Sequence, residues 1–362
     1  MVKRTYFFTG FPGFLATRLI SRLAEEEPES EFELLVHESA IPEAERIVQR
    51  LKGNKRTKRF RIHAGDITKT NLKLEKAVSE RLKETVTHVF HLAAIYDLAV
   101  HDRIAQSVNV TGTRNVNLWV LECKAIERYV YFSTAYVSGD RKGTIYENEL
   151  ALGQEFKNHY EKTKHDAEVL VQYMRDRIPT TIIRPGIVLG DSKTGETAKF
   201  DGPYFMMRYL DKFSRMPIPY VGKGEALINL VPVDYVVEAT VYLSRHADGI
   251  DKVYHLTDPN PYQAREAFRL ISEALTGKAP SFTMPHSTVR IMLSFPPLRR
   301  WVKVERETLD YFRLEAVYDC TEAQRDLKPS GITCPDFADY IPAAVEYYRL
   351  HRNDPAKLIE VI

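Results

Sequence analysis

Tyr160 and Lys164 stand four residues apart in the run Tyr-Glu-Lys-Thr-Lys, a spacing that puts both side chains on one helical face. A phenol ordinarily titrates near ~10 and holds its proton too tightly to exchange it quickly at neutral pH. A lysine ammonium one turn away would stabilise the phenolate and bring that value down. The pair is therefore suited to deliver a proton to an oxygen that gains negative charge during a reaction. Ser133, in Tyr131-Phe-Ser-Thr134, closes a strand-like run and is placed to donate a hydrogen bond to that oxygen; Thr134 is a weaker candidate for the same task. Each side chain alone has an ordinary reading, as a packing tyrosine, a surface lysine and a strand-end cap. Their order on successive elements makes them a set.

Those elements begin with a glycine turn. Thr9-Gly-Phe-Pro-Gly-Phe-Leu-Ala16 lies between a short apolar strand at 4–9 and an amphipathic helix at 14–26. Gly10 permits the tight turn, Gly13 lets backbone approach a pyrophosphate, and Ala16 keeps the helix close to the sheet. Thr9, Gly10, Phe11, Pro12, Gly13, Phe14 and Leu15 would then surround a dinucleotide, with its pyrophosphate on free N–H groups at the helix start. A phosphate-loop NTPase is disfavoured, because no Gly-Lys-Ser/Thr follows the glycines. Hydride transfer between a nicotinamide and a carbonyl needs the proton relay just described, and Tyr160 and Lys164 would also touch the cofactor, Lys164 through the ribose hydroxyls.

The choice between NADP and NAD stays open with a lean to NADP. Glu38 could accept from a ribose 2′-OH, whereas Arg18, His37 and Arg46 could surround a 2′-phosphate. Asp66 and Ile67 would meet the adenine. Leu92, Ala93 and Ala94 are small or apolar residues where backbone must pass the cofactor, and Pro185, Gly186, Ile187 and Val188 can present backbone to the nicotinamide amide.

Strand-like runs at 32–37, 60–63, 87–92, 129–133 and 180–184 alternate with helical stretches, including long ones at 104–125 and 157–176. That alternation predicts an α/β, Rossmann-type, doubly wound parallel sheet covered on both faces. Beyond residue 190 the rhythm changes. We read residues 1–190 as the NAD(P)-binding domain, with 225–258 returning to it, and 191–224 with 259–362 as a smaller, mostly helical substrate lobe over the carboxyl ends of the strands. In that lobe Phe200, Tyr204, Phe205, Met206, Met207 and Tyr209 either line a lipophilic pocket or pack into core. Residues 289–302 mix large apolar side chains with three arginines, and read as a packed lobe with a basic rim or as a membrane-surface segment.

Composition narrows the classes further. The 362 residues are 44% hydrophobic and 28% charged, ordinary globular values, and a net charge of +2 gives little pull toward nucleic acid or anionic membrane. The basic stretch 46–61 lacks the interleaved aromatics of a nucleic-acid surface. Three scattered cysteines favour a reducing compartment over a disulfide framework. With no leader-like segment ahead of the first strand and no long apolar stretch, the expectation is a cytoplasmic protein without a spanning helix. His88 and His91 find no third ligand at convincing spacing, so no metal site is expected.

Thr9–Ala16, Gly65-Asp66, His91-Leu-Ala-Ala94, Asn109-Val-Thr-Gly-Thr113, Ser133, Tyr160 with Lys164, Arg184-Pro-Gly186 and Val231-Pro-Val-Asp-Tyr235 together resemble an extended short-chain dehydrogenase/reductase. Within that superfamily, Phe132-Ser-Thr-Ala-Tyr-Val137 and Gly153-Gln-Glu-Phe-Lys-Asn-His-Tyr160 resemble the acyl reductase branch, which includes fatty acyl-CoA reductases and the reductase domains that release carrier-bound thioesters. His37 departs from the arginine common there, and Ala16 replaces the last fingerprint glycine. The resemblance implies a catalytic triad of Ser133, Tyr160 and Lys164, with Asn109 supporting the lysine through a water. It also implies that the two long helices pair across a dimer axis, which makes a homodimer one expectation. The expected activity is hydride transfer between NADP (or NAD) and a carbonyl or alcohol substrate, such as an acyl thioester or aldehyde. The alternatives are a sugar-nucleotide epimerase or dehydratase with retained NAD, and a non-enzymatic NADP sensor.

Overall fold

The computed structural model describes residues 3–53, 59–96, 101–214, 216–285 and 315–358, with a few positions between 287 and 295. Seven strands, all parallel, make the central sheet: β1 (Thr5–Thr9), β2 (Glu31–Val36), β3 (Phe60–Ala64), β4 (His88–His91), β5 (Arg128–Phe132), β6 (Thr180–Pro185) and β7 (Lys252–Leu256). Their order across the sheet is β7-β6-β5-β4-β1-β2-β3. The chain winds outward from β1 to β3, then returns to β4 on the other side of β1. That reversal opens a crevice beyond the carboxyl ends of β1 and β4, where open α/β sheets take their ligands.

Apart from edge strand β3, which is partly exposed after Phe60, these strands are buried on both faces, and most of their positions are apolar or aromatic. Phe8 and Phe90 on adjacent strands stack with ring centroids 4.7 Å apart, and Phe7 stacks on Trp119 of the opposite layer at 4.5 Å. All but Trp119, which is 2% exposed, are fully buried, each burial contributing about 1.5–3 kcal/mol. The first helix, Phe14–Glu26, covers one face with Val233–Arg245; Gly112–Leu121 and His159–Gln172 cover the other.

Within 225–258, helix Val233–Arg245 covers the sheet and β7 forms its edge. The lobe has its own core, in which Tyr204–Phe213, Ala264–Thr276 and Phe337–His351 pack together. Phe200, Tyr204, Met206 and Met207 lie inside that core rather than on an open wall, the last three on helix Tyr204–Phe213, which meets two neighbouring helices. One boundary differs from expectation. Cys320, Ala323 and Leu327 join the core of the sheet domain, so helix Thr321–Leu327 belongs there and not to the lobe. The sequence expectation for 289–302 lies outside the described residues. No helix among the described residues is long and apolar enough to cross a membrane.

Candidate active site

The glycine turn after β1 is closed by a hydrogen bond from Gly13 N–H to the Gly10 carbonyl (2.8 Å). Gly10 has φ +87°, and a Cβ there would stand 2.7 Å from the Ala93 nitrogen and 2.8 Å from the Leu92 carbonyl carbon. Thus Thr9–Gly10 and Leu92–Ala93, from the two strands flanking the crevice, touch through backbone. Thr9 Oγ1 ties them further, accepting from Ala93 N–H (3.2 Å) and bonding His91 Nδ1 (2.7 Å). A Cβ on Gly13 would meet the Gly10 carbonyl at 2.6 Å. No side chain caps the helix that begins at Phe14, so its first N–H groups face the turn. This cradle fits a dinucleotide pyrophosphate, which would rest on those N–H groups with Phe11, Pro12, Phe14 and Leu15 around it.

At the adenosine end, Ile67 is buried against Gly112, where a Cβ would approach its Cδ1 to 2.6 Å. Burial works to raise the Asp66 carboxyl, but the Thr68 hydroxyl and N–H, both 2.8 Å from Oδ1, hold it below the usual value. His37 Nδ1 bonds the Ser39 hydroxyl at 2.8 Å. Glu38 pairs with Lys73 at 2.8 Å. Arg18 does not face this end: its guanidinium lies over Phe14 and binds Asp191 (3.1 Å) and Glu196 (2.7 Å), bridging the first helix to the loop after 187–189. Arg46 is paired with Glu43, one turn away on its own helix. Because surface ion pairs contribute little, Arg18→Ala should lower stability by no more than ~1 kcal/mol in a denaturant melt and leave cofactor affinity unchanged.

Tyr160 and Lys164 sit in the first turns of helix His159–Gln172. Asn158 caps it by accepting from Glu161 N–H (2.9 Å), while Glu161 accepts from Lys157 N–H (3.1 Å). Lys164 is buried: its ammonium donates to the Phe132 carbonyl (2.6 Å) and the Tyr131 hydroxyl (3.1 Å) and lies over the Tyr131 ring. Burial lowers its pKa to about 7, against the opposing pull of Glu168. Tyr160 is half-buried, and Thr134 is the hydroxyl side chain near its phenol. Burial pushes this phenol up to about 12; Thr134 opposes the rise and Glu161 adds to it. The expectation that Lys164 would bring the phenol down is not met here. Desolvation dominates, and the ammonium is directed at Phe132 and Tyr131.

Ser133 and Thr134, neighbours at the end of β5, are engaged differently. Ser133 shares the side-chain parity of Tyr131, whose face is packed under the helix. Its hydroxyl therefore points into that packing and donates to Glu168 at 2.5 Å. Thr134 is one residue on, past the sheet's carboxyl edge, where Tyr160 stands; it also accepts from Tyr136 N–H (3.3 Å), capping a short turn. Side-chain parity from Tyr131, together with Glu168 one turn after Lys164, is the signal that separates these neighbours.

Asn109 lies in a π-helical turn, Gln106–Thr111, a departure from regular helix often found at working sites. Its Oδ1 accepts from Ile95 N–H (2.9 Å), and its amide donates to the Ile95 carbonyl (3.1 Å) and Thr163 Oγ1 (2.9 Å). Both amide hydrogens are spent, so Asn109 clips the segment after β4 to the residue before Lys164. Gly186 packs on Asn229, where a Cβ would come within 2.6 Å of Oδ1. Ile187 donates from N–H to the Asn229 carbonyl (2.8 Å), and Val188 pairs with Val231, so the segment after Pro185 is held as a second short strand pair beside the site. Among the described residues no group of histidines, cysteines and acids could hold a metal ion.

This chain is similar to a non-canonical nonribosomal peptide synthetase of Aspergillus campestris, 27% identical over 237 residues that make up 62% of this chain and 22% of that protein. It is 25% identical over 236 residues to an alcohol-forming fatty acyl-CoA reductase of Simmondsia chinensis, covering 49% of this chain and 46% of the relative. The chain thus spans less than half the length of either. Among solved structures, the terminal R domain of the myxalamid PKS-NRPS biosynthetic pathway superposes with a TM-score of 0.79 at 26% identity, over 99% of this chain and 93% of that one. Residues 8–240 match the NAD-binding family described as male sterility protein; the chain belongs to that family, in the extended short-chain dehydrogenase/reductase group, and NAD(P) is its cofactor.

Proposed function

We propose that this protein reduces the carbonyl of an acyl thioester or aldehyde with NADPH. The observation that carries the reading is the Tyr160 phenol beside Thr134 at the sheet's carboxyl edge, with buried Lys164 one turn below and the glycine cradle two strands away. When bound, the dinucleotide supplies a hydride. The chain's own residues handle the oxygen. As negative charge develops there, Thr134 donates a hydrogen bond and Tyr160 gives up its proton. A phenol pushed to about 12 stays protonated at neutral pH, which suits a donor in the reducing direction. A thioester reduced in this way yields a hemithioacetal that expels its thiol as the aldehyde forms. Ser133 is proposed as a positioning group, and Asn109 as the clip that sets the height of Lys164.

The preference for NADP rests on His37 and Lys73, since Arg18 and Arg46 are engaged elsewhere. Lys73 reaches the end of β2 from a turn in which Asn71, Leu72 and Lys73 all adopt positive φ. Its exposed pair with Glu38 is weak enough to exchange for a phosphate. Fluorescence titration should show NADPH binding about tenfold more tightly than NADH, and Lys73→Ala should remove most of that ratio, as expected for one charge-assisted contact. Tighter NADH binding by the unaltered protein would reverse the preference.

The reaction class is tested by following NADPH consumption with acyl-CoA thioesters of increasing chain length, aldehydes, and UDP-sugars. Turnover of a thioester or aldehyde with matching NADPH loss supports the reading. Conversion of a UDP-sugar with no net NADPH loss overturns it.

A further inference from the structure

One turn beyond Lys164 on the same helix, Glu168 is fully buried and uses both carboxylate oxygens. Ser133 donates to Oε2 (2.5 Å). Arg184 on β6 approaches with Nε at 3.1 Å from each oxygen and an NH2 group 2.6 Å from Oε1. Gln172, one turn further, donates to Oε1 at 3.3 Å. Arg184 is itself buried and passes its other amine to the Glu147 carbonyl and His255, both at 3.2 Å.

Two of these bonds form a staple. Lys164 grips the Phe132 carbonyl and Glu168 grips the hydroxyl of Ser133, the next residue, so one helical turn is fastened at both ends to consecutive residues of the strand end. Thr134 follows immediately. The height of Tyr160 above Thr134 therefore depends on this turn being seated. A buried ammonium also needs an opposing charge to remain charged.

We propose that Glu168 is a positioning residue of the proton relay: it clamps the Lys164 turn onto the Phe132–Ser133 strand end and supplies the negative charge that the buried ammonium faces. The proposal rests on the reductase reading for its kinetic consequence, but the charge state of Lys164 can be measured without substrate or cofactor.

The groups facing Lys164 from each packed element are few. Tyr131 on β5 touches it and stays protonated, burial holding its phenol well above the usual value. His91 on β4 is held neutral, burial pushing it down to about 3 with Lys164 adding to the shift. Arg184 on β6 lies against Glu168, and Asn109 and Thr163 are neutral. Tyr160, on the same helix, keeps its proton well past neutrality. Among these, Glu168 is the acid that favours the charged lysine. Lys164 with a folded value near 7 loses its charge as pH rises through that value; without Glu168 the loss comes at lower pH.

The test is a pH titration of Lys164 by NMR in full-length protein carrying 13Cε-labelled lysine, with Lys164→Arg to assign the signal. Glu168→Gln should move the midpoint down by about one pH unit or more, a tenfold change in the protonation equilibrium. Ser133→Ala, which breaks one arm of the staple and keeps the charge, should leave it in place. In assays with NADPH, the alkaline limb of kcat/KM should move down with the midpoint in Glu168→Gln, while the rate at pH 6 stays within a few fold. If Glu168→Gln does not fold, the double variant Glu168→Leu/Arg184→Met removes the acid without stranding a buried cation, and is read the same way. An unmoved midpoint in a folded variant overturns the proposal. Loss of the reductase reading shows itself separately, as full activity in Tyr160→Phe, and leaves the NMR result to decide the role of Glu168.

Discussion

Tyr160→Phe is expected to lower turnover about 10³-fold with cofactor affinity within about threefold of the unaltered protein, since general-acid groups commonly contribute 10²–10⁴. The substitution removes one oxygen from a half-buried ring whose hydroxyl lies near Thr134. Packing is kept and the proton is lost, so kcat should fall while the thermal midpoint stays nearly constant. Steady-state rates and NADPH fluorescence titration on the same preparation separate the two effects. Activity equal to the unaltered protein would remove Tyr160 as the proton donor and the proposed mechanism with it.

Next in size is the contrast between two neighbours. Thr134→Val should cost about 10²–10³ in kcat, the usual loss for one donor aimed at developing negative charge. Ser133→Ala should cost less than about tenfold in kcat. Its effect should fall on stability instead, by about 1.5–3 kcal/mol, because the hydroxyl serves a buried, charged carboxylate. Measuring kcat and the unfolding midpoint for both variants tests the assignment. The reverse pattern, a catalytic loss at Ser133 and a stability loss at Thr134, would restore the order the sequence suggests.

The glycine turn was legible because its chemistry is local. Gly10 needs a positive φ and Gly13 needs room beside the Gly10 carbonyl, and both demands are met within four residues. The parallel sheet was legible for a similar reason: strands buried on both faces are mostly apolar, whatever lies on either side of them. The placement of 319–327 was less readable. Its apolar residues suit either core, and only the position of β7 at the sheet edge decides that Cys320, Ala323 and Leu327 close the sheet domain.

The charged residues show the limit most clearly. Arg18 stands in the first helix near the expected phosphate site, yet Asp191 and Glu196 arrive from a loop more than 170 residues away and take its guanidinium. Lys73 had no motif to announce it; a turn with three positive φ angles carries it to Glu38. Long side chains reach several ångströms, so the partner is chosen by whichever opposite charge the fold brings near.

By itself, then, the sequence determined the pieces from which the reaction machinery is proposed: a dinucleotide turn, a tyrosine and lysine on one helical face, and a hydroxyl at a strand end. Local geometry suffices for each of these. Tertiary structure decided that the Ser133 hydroxyl is spent on Glu168, that the phenol is raised rather than lowered, and that Lys164 shares its buried turn with Glu168, which Arg184 meets from β6. Those outcomes depend on desolvation and on contacts between distant segments, and neither is set until the helix has been laid on the sheet.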